Sequence, residues 1–147
     1  MDETTVMKIA QLPVINRGSG IKTWLLVVRH RIKGAVFQTG ISQYPVGEGA
    51  PMHCHNCAEQ VTLLSGVGVG VGVGVGVVEI DGVITPLEPY DSTYIEANRW
   101  HCFRNRGDGP MTILWVYDTA VVARTFYETR ETVENLSAAD LMGAADD

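Results

Sequence analysis

The stretch Pro51-Met52-His53-Cys54-His55-Asn56-Cys57-Ala58-Glu59 sets two imidazoles one residue apart and a carboxylate four residues beyond the second. Successive side chains of a β-strand point to opposite faces, so His53 and His55 share one face. A turn through Asn56, Cys57 and Ala58 would return Glu59 beside them on the neighbouring strand. Two imidazoles and a carboxylate on one concave wall make a ligand set for a borderline divalent metal. His101 is a fourth candidate, which leaves only His30 of the four histidines outside the arrangement. An imidazole must be neutral to bind a metal, so metal affinity should fall as pH drops towards ~5. No spare histidine is at hand for acid–base work. Glu96, just ahead of the His101 strand, is the nearest unassigned carboxylate and the candidate general base beside Glu59.

A competing site is offered by Cys54-x-x-Cys57 with Cys102, as a thiolate zinc centre or a redox pair. Alternation argues against it, because Cys54 and Cys102 should point away from the face used by their histidine neighbours. No helix pattern follows the cysteine pair either, so buried, inert thiols are expected. The same alternation nominates a pocket. If His101 points inward, Arg99, Phe103 and Asn105 follow it, and Glu59 brings Val61 and Leu63. Such a wall is mainly apolar with a few polar groups, which suits a small molecule better than a polymer.

These residues need a frame of strands. Thr23 to His30 and Ala35 to Tyr44 read as extended segments, and Asp81-Gly82 between Val78-Ile80 and Val83-Ile84 is a hairpin turn signal. Thr93 to Ile95, Trp100 to Asn105 and Met111 to Tyr117 continue the series. Short strands with frequent turns indicate an all-β sandwich or barrel. Helix is expected only over Asn135 to Ala145, in a C-terminal helix or tail. The chain of 147 residues suits one domain: an extension over 1–20, a barrel over 21–127 and a tail over 128–147. Gly66 to Val77 is a strict Gly-Val alternation, read as an expanded repeat inserted in a strand or hairpin. A net charge of −6 with no basic tract argues against nucleic acid and anionic membranes. The three cysteines, the acidic N-terminus and the lack of an apolar leader point to reduced thiols in the cytoplasm.

The motif pattern also carries a resemblance. Gly47, His53-x-His55, Glu59 and Gly66 stand at the spacing of the first motif of the cupin superfamily. Tyr90 to Asn105 is similar in spacing to the second, with His101 and Asn105 in place. Tyr90, Glu96 and Asn98 stand where that motif more often has Gly, Pro and Gly. The resemblance implies a double-stranded β-helix, a jelly-roll barrel, with a metal in its mouth held by His53, His55, Glu59 and His101. Iron is the first expectation, with manganese, nickel and zinc as alternatives. It further implies a homodimer by sheet packing and chemistry on a small organic molecule. An oxygenase-type reaction comes first. A metal-dependent isomerase or decarboxylase, or a non-catalytic ligand-binding or sensing module, is the alternative.

Overall fold

Alternating burial along two seven-residue strands shows how the chain makes its sheets: Met111–Tyr117 buries every second residue, and Gln38–Tyr44 does so over its second half. The structure is a computed structural model and describes residues 6–70, 74–136 and 140. Among the described residues twelve strands follow in chain order: β1 Ile15–Asn16, β2 Lys22–Leu25, β3 Gln38–Tyr44, β4 His53–His55, β5 Glu59–Ser65, β6 Gly76–Ile80, β7 Val83–Leu87, β8 Ser92–Ile95, β9 His101–Asn105, β10 Met111–Tyr117, β11 Ala123–Phe126 and β12 Thr132–Glu134. They form two six-stranded antiparallel sheets, ordered β1-β2-β3-β10-β5-β8 and β12-β11-β4-β9-β6-β7. The fold is an all-β jelly roll. Its core lies between the sheets and includes Val61, Leu63, Val75, Ile95, Phe103, Met111 and Trp115.

Several boundaries differ from the sequence reading. In the Thr23 to His30 segment the strand ends at Leu25, Leu26 and Val27 still bond to Thr39, and the chain then turns, with the Arg31 guanidinium donating to the carbonyls of Leu25 (2.5 Å) and Leu26 (2.8 Å). The sheets extend beyond 21–127, since β1 and β12 add an edge strand to each. The expected C-terminal helix begins instead as a turn at Asn135 and Leu136, with Leu136 at φ 68°. Apart from Asp140, the rest of that helix lies outside the described residues. The Asp81-Gly82 hairpin is present, with φ 48° and 86°, the two positive values of a type I′ turn.

The Gly-Val repeat is anchored to the barrel. Its two ends belong to the barrel. Val75 is buried in the core, with its N–H donating to the Leu87 carbonyl at 2.9 Å. Gly76 starts β6 so close to β10 that a Cβ there would stand 2.5 Å from Met111 Sδ. At the other end the Val67 carbonyl accepts from the Asp108 N–H at 2.8 Å. Residues 71–73, between these anchors, lie outside the described residues.

Candidate metal centre

Register does the first part of the positioning. His53 of β4 stands directly opposite His101 of β9, and paired positions of adjacent strands share a face. His55 follows two residues on, on that same face. The three ring centroids are 4.4 to 5.5 Å apart. Glu59 comes from elsewhere than expected. β5 lies in the opposite sheet, so the turn through Asn56–Ala58 carries the chain across the barrel and Glu59 reaches the imidazoles from the facing wall.

Backbone carbonyls do the second part. Nδ1 of His53 meets the Pro51 carbonyl at 2.6 Å, Nδ1 of His55 meets that of Ala123 at 3.1 Å, and Nδ1 of His101 meets that of Arg99 at 2.9 Å. A carbonyl only accepts, so each Nδ1 carries a proton and each ring turns its Nε2 inward. The ligand atoms of the three rings lie within 4.8 Å of one another. Glu59 Oε1 sits 3.1 Å from His101 Nε2 and 3.8 Å from His55 Nε2, and the Tyr117 hydroxyl lies 3.2 Å from His55 Nε2. His101 Nε2 and Glu59 Oε1 are thus at hydrogen-bond distance, a contact that a proton or a metal ion between them would satisfy. The three imidazoles fit a divalent metal and would hold it, with Glu59 beside them as a candidate fourth ligand.

Burial tunes the same groups. It is the main cause holding His53 well below the ordinary histidine value, with Arg124 and the other two histidines adding to it. Burial also brings His55 down to about 4, against a smaller upward pull from Glu59. For Glu59 burial acts upward, but the His101 hydrogen bond and the His55 and Arg124 charges outweigh it and hold the carboxyl below its usual value. Neutral imidazoles beside an ionised carboxylate are the protonation states that metal ligation needs.

A cavity of about 30 Å³ opens beside this cluster, between the sheets, and is lined by His53, Glu59, His101, Tyr44, Phe103 and Tyr117 together with Arg17 and Arg124. Arg124 stands opposite His55 across the β4–β11 pair. The model of the cupin domain matches residues 40–117, more than half the chain and all four ligand candidates. The chain belongs to the cupin family. Solved cupin structures share its fold. An RmlC-like cupin from Shewanella frigidimarina has a TM-score of 0.65 at 17% identity, over 80% of this chain and 92% of that one. KdgF from Halomonas sp. has 0.62 at 13%, over 78% and 94%. A predicted oxalate decarboxylase from Thermotoga maritima has 0.63 at 18%, over 78% and 99%. No curated protein matches the chain by sequence.

Of the residues nominated for this cupin's pocket, Phe103 lines the cavity. Val61 and Leu63 face inward as alternation requires but are packed in the core, away from the cavity lining. Asn105 is buried as a backbone clamp, its amide donating to the carbonyls of Tyr44 (3.0 Å) and Gly109 (2.8 Å). Arg99 is a correction. β9 begins only at His101, and Asn98 at φ 65° turns the preceding residues off the strand, so alternation does not reach Arg99. Its guanidinium is 46% exposed and pairs with Asp81 and Glu96. Glu96, the nominated base, is likewise turned to solvent, 68% exposed. The cysteines are free and buried. Burial raises the thiols of Cys54 and Cys102, and takes that of Cys57 to about 12, so all three are held as thiols rather than metal-binding thiolates. Arg17, Tyr117, Arg124 and Asp140 were missed. Arg124 could have been found only by knowing that β11 pairs with β4, which fixes the face it shares with His55.

Proposed function

We propose that this cupin is a mononuclear metal-dependent enzyme acting on a small organic molecule, with an oxygenase-type reaction as the leading assignment and iron as the leading metal. The observation that carries the reading is the set of three Nδ1–H to carbonyl bonds, which turns three Nε2 atoms, all within 4.8 Å of one another, inward beside Glu59. When bound, a metal there would supply Lewis acidity and, if redox-active, the means to use O₂. The protein's own residues do the rest. The cavity lies between the two sheets, and Phe103 gives it an apolar wall. Burial raises Tyr117 well above its ordinary value, so its hydroxyl stays protonated and can donate to a ligand oxygen beside His55. Decarboxylation is the second reading, favoured by the likeness to a structure described as a predicted oxalate decarboxylase. A homodimer and a cytoplasmic setting belong to the proposal; among the described residues no helix is long and apolar enough to cross a membrane.

Elemental analysis of protein purified without added metal, followed by O₂-uptake screening, tests the assignment. Stoichiometric iron with substrate-dependent uptake supports an oxygenase. Manganese, nickel or zinc without uptake moves the reading to decarboxylation or isomerisation, and absence of bound metal overturns it.

A further inference from the structure

Two arginines are buried against the same cavity as the imidazoles. Arg17 and Arg124 are 3% and 4% exposed, and both line it. Their charge is met by Asp140, itself 1% exposed. Arg17 Nη2 donates to Asp140 Oδ2 at 2.8 Å, the Leu136 N–H donates to the same oxygen at 2.7 Å, and Arg124 Nε lies 3.3 Å from Oδ1. Arg17 also donates to the Asp140 carbonyl, and Arg124 Nη2 to Asn135 Oδ1 at 3.2 Å. Asp140 Oδ2 thus accepts from a guanidinium and a backbone N–H, as a free carboxylate ligand could, while Oδ1 stands at ion-pair distance from Arg124.

The two sides of this clamp differ in origin. Arg124 is fixed in β11, between β4 and β12, and the Arg17 N–H is tied to the Ile21 carbonyl at 2.8 Å. Asp140 belongs to neither sheet, since the last strand ends at Glu134. We propose that Arg17 and Arg124 form a carboxylate-binding subsite, which Asp140 fills as an internal ligand and which a small organic acid fills in its place.

Charge and volume both support exchange rather than addition. Arg17 and Arg124 contribute +2, Asp140 and Glu59 contribute −2, and the sum over these four side chains is zero. A carboxylate replacing that of Asp140 preserves the balance, whereas a neutral ligand would leave these buried side chains with a net charge of +1. The cavity of about 30 Å³ holds roughly two water-sized volumes, too little for an organic acid while Asp140 is in place. The substrate class follows: a small organic acid whose carboxylate takes the arginines and whose other end faces the imidazoles. That assignment of substrate rests on the metal-enzyme reading, but carboxylate binding at the arginines does not.

The test uses the full chain stripped of metal by a chelator. Asp140→Ala is unfolded thermally in acetate and in chloride at equal ionic strength, near pH 7. The expected result is a lowered midpoint that acetate restores and chloride does not. The apparent acetate affinity should be at least about tenfold tighter than for the unaltered protein, where the tethered Asp140 competes. Adding Arg124→Gln to Asp140→Ala should abolish the effect. A folded Asp140→Ala protein that responds equally to acetate, sulfate and chloride overturns the proposal, as does an acetate response that survives Arg124→Gln. If Asp140→Ala does not fold, Asp140→Asn keeps the shape without the charge and is read by the same comparison. Metal content of the unaltered protein is measured alongside, so failure of the metal reading and failure of the subsite appear in separate data.

Discussion

The two motifs that build this cupin's site reach the same end by unlike means. In the first, Gly47 takes φ 80°, the backbone shape that glycine adopts without penalty. In the second, the corresponding shapes are taken by Tyr90 at φ 75° and Asn98 at φ 65°. Backbone hydrogen bonds hold them there. The Tyr90 N–H donates to the Leu63 carbonyl at 2.6 Å, and the Asn98 N–H donates to the His55 carbonyl at 2.8 Å. The second motif is thus shaped by contact with strands of the first, and its turns survive the loss of their glycines. Ligand delivery depends on register and hydrogen bonding more than on the turn residues themselves.

The sharpest way to break this comparison is to remove one ligand from each motif. His53→Ala and His101→Ala should each lower bound metal at least about tenfold, because both motifs serve one centre. Elemental analysis reads the result, and retention of metal by the His101 variant would leave the second motif out of the site. Cys54→Ser should not change metal content.

Acidification of the metal-free protein should act next most strongly. The folded state holds His55 at about 4, below its ordinary 6.5, so the unfolded chain takes up a proton first as pH falls. Stability is then full above about pH 6.5 and is lost down to about pH 4, by roughly 3 kcal/mol for His55 alone. His53 is shifted in the same direction and adds to the loss. Glu59, depressed in the fold, extends it below the ordinary carboxylate value. Chemical denaturation at pH 7 and pH 5 measures the slope, and equal stability at the two would refute it.

Smaller effects separate anchor from spacer in the link between the motifs. Val75→Ala should cost about 2 kcal/mol, since it removes buried methyl groups from the core. Tyr90→Gly should gain at most about 1 kcal/mol by relieving its left-handed backbone, while Asn98→Gly should change little because asparagine tolerates that region. Deleting Val69 to Gly72 keeps the sequence at both anchors and the phase of the alternation. It should shift stability by about 0.5 kcal/mol or less, as loop closure depends only weakly on length. Thermal or denaturant midpoints rank these variants, and a deletion as damaging as Val75→Ala would make the repeat structural throughout.

What the sequence disclosed follows the same physics. His53, His55 and Glu59 were legible because they are local: a period of two and a short turn bring them together. His101 was legible only through its spacing within a longer pattern. Arg99 was misplaced because alternation was extended past the end of β9, through a residue with positive φ. Glu59 was assigned to a neighbouring strand because nothing local says that the turn at Asn56–Ala58 crosses between sheets. Arg17 and Asp140 stand 123 residues apart in sequence and meet only in the finished fold. No periodicity within a single strand could have paired them.

That separation bears on how the chain is completed during synthesis. Arg17 emerges first, Arg124 far later, and the carboxylate that neutralises both follows sixteen residues after Arg124. Until Asp140 leaves the ribosomal tunnel, a nascent barrel that closed around the two guanidiniums would carry two cations with no anion between them. The last of these three charges to be made is thus the one that completes their pairing.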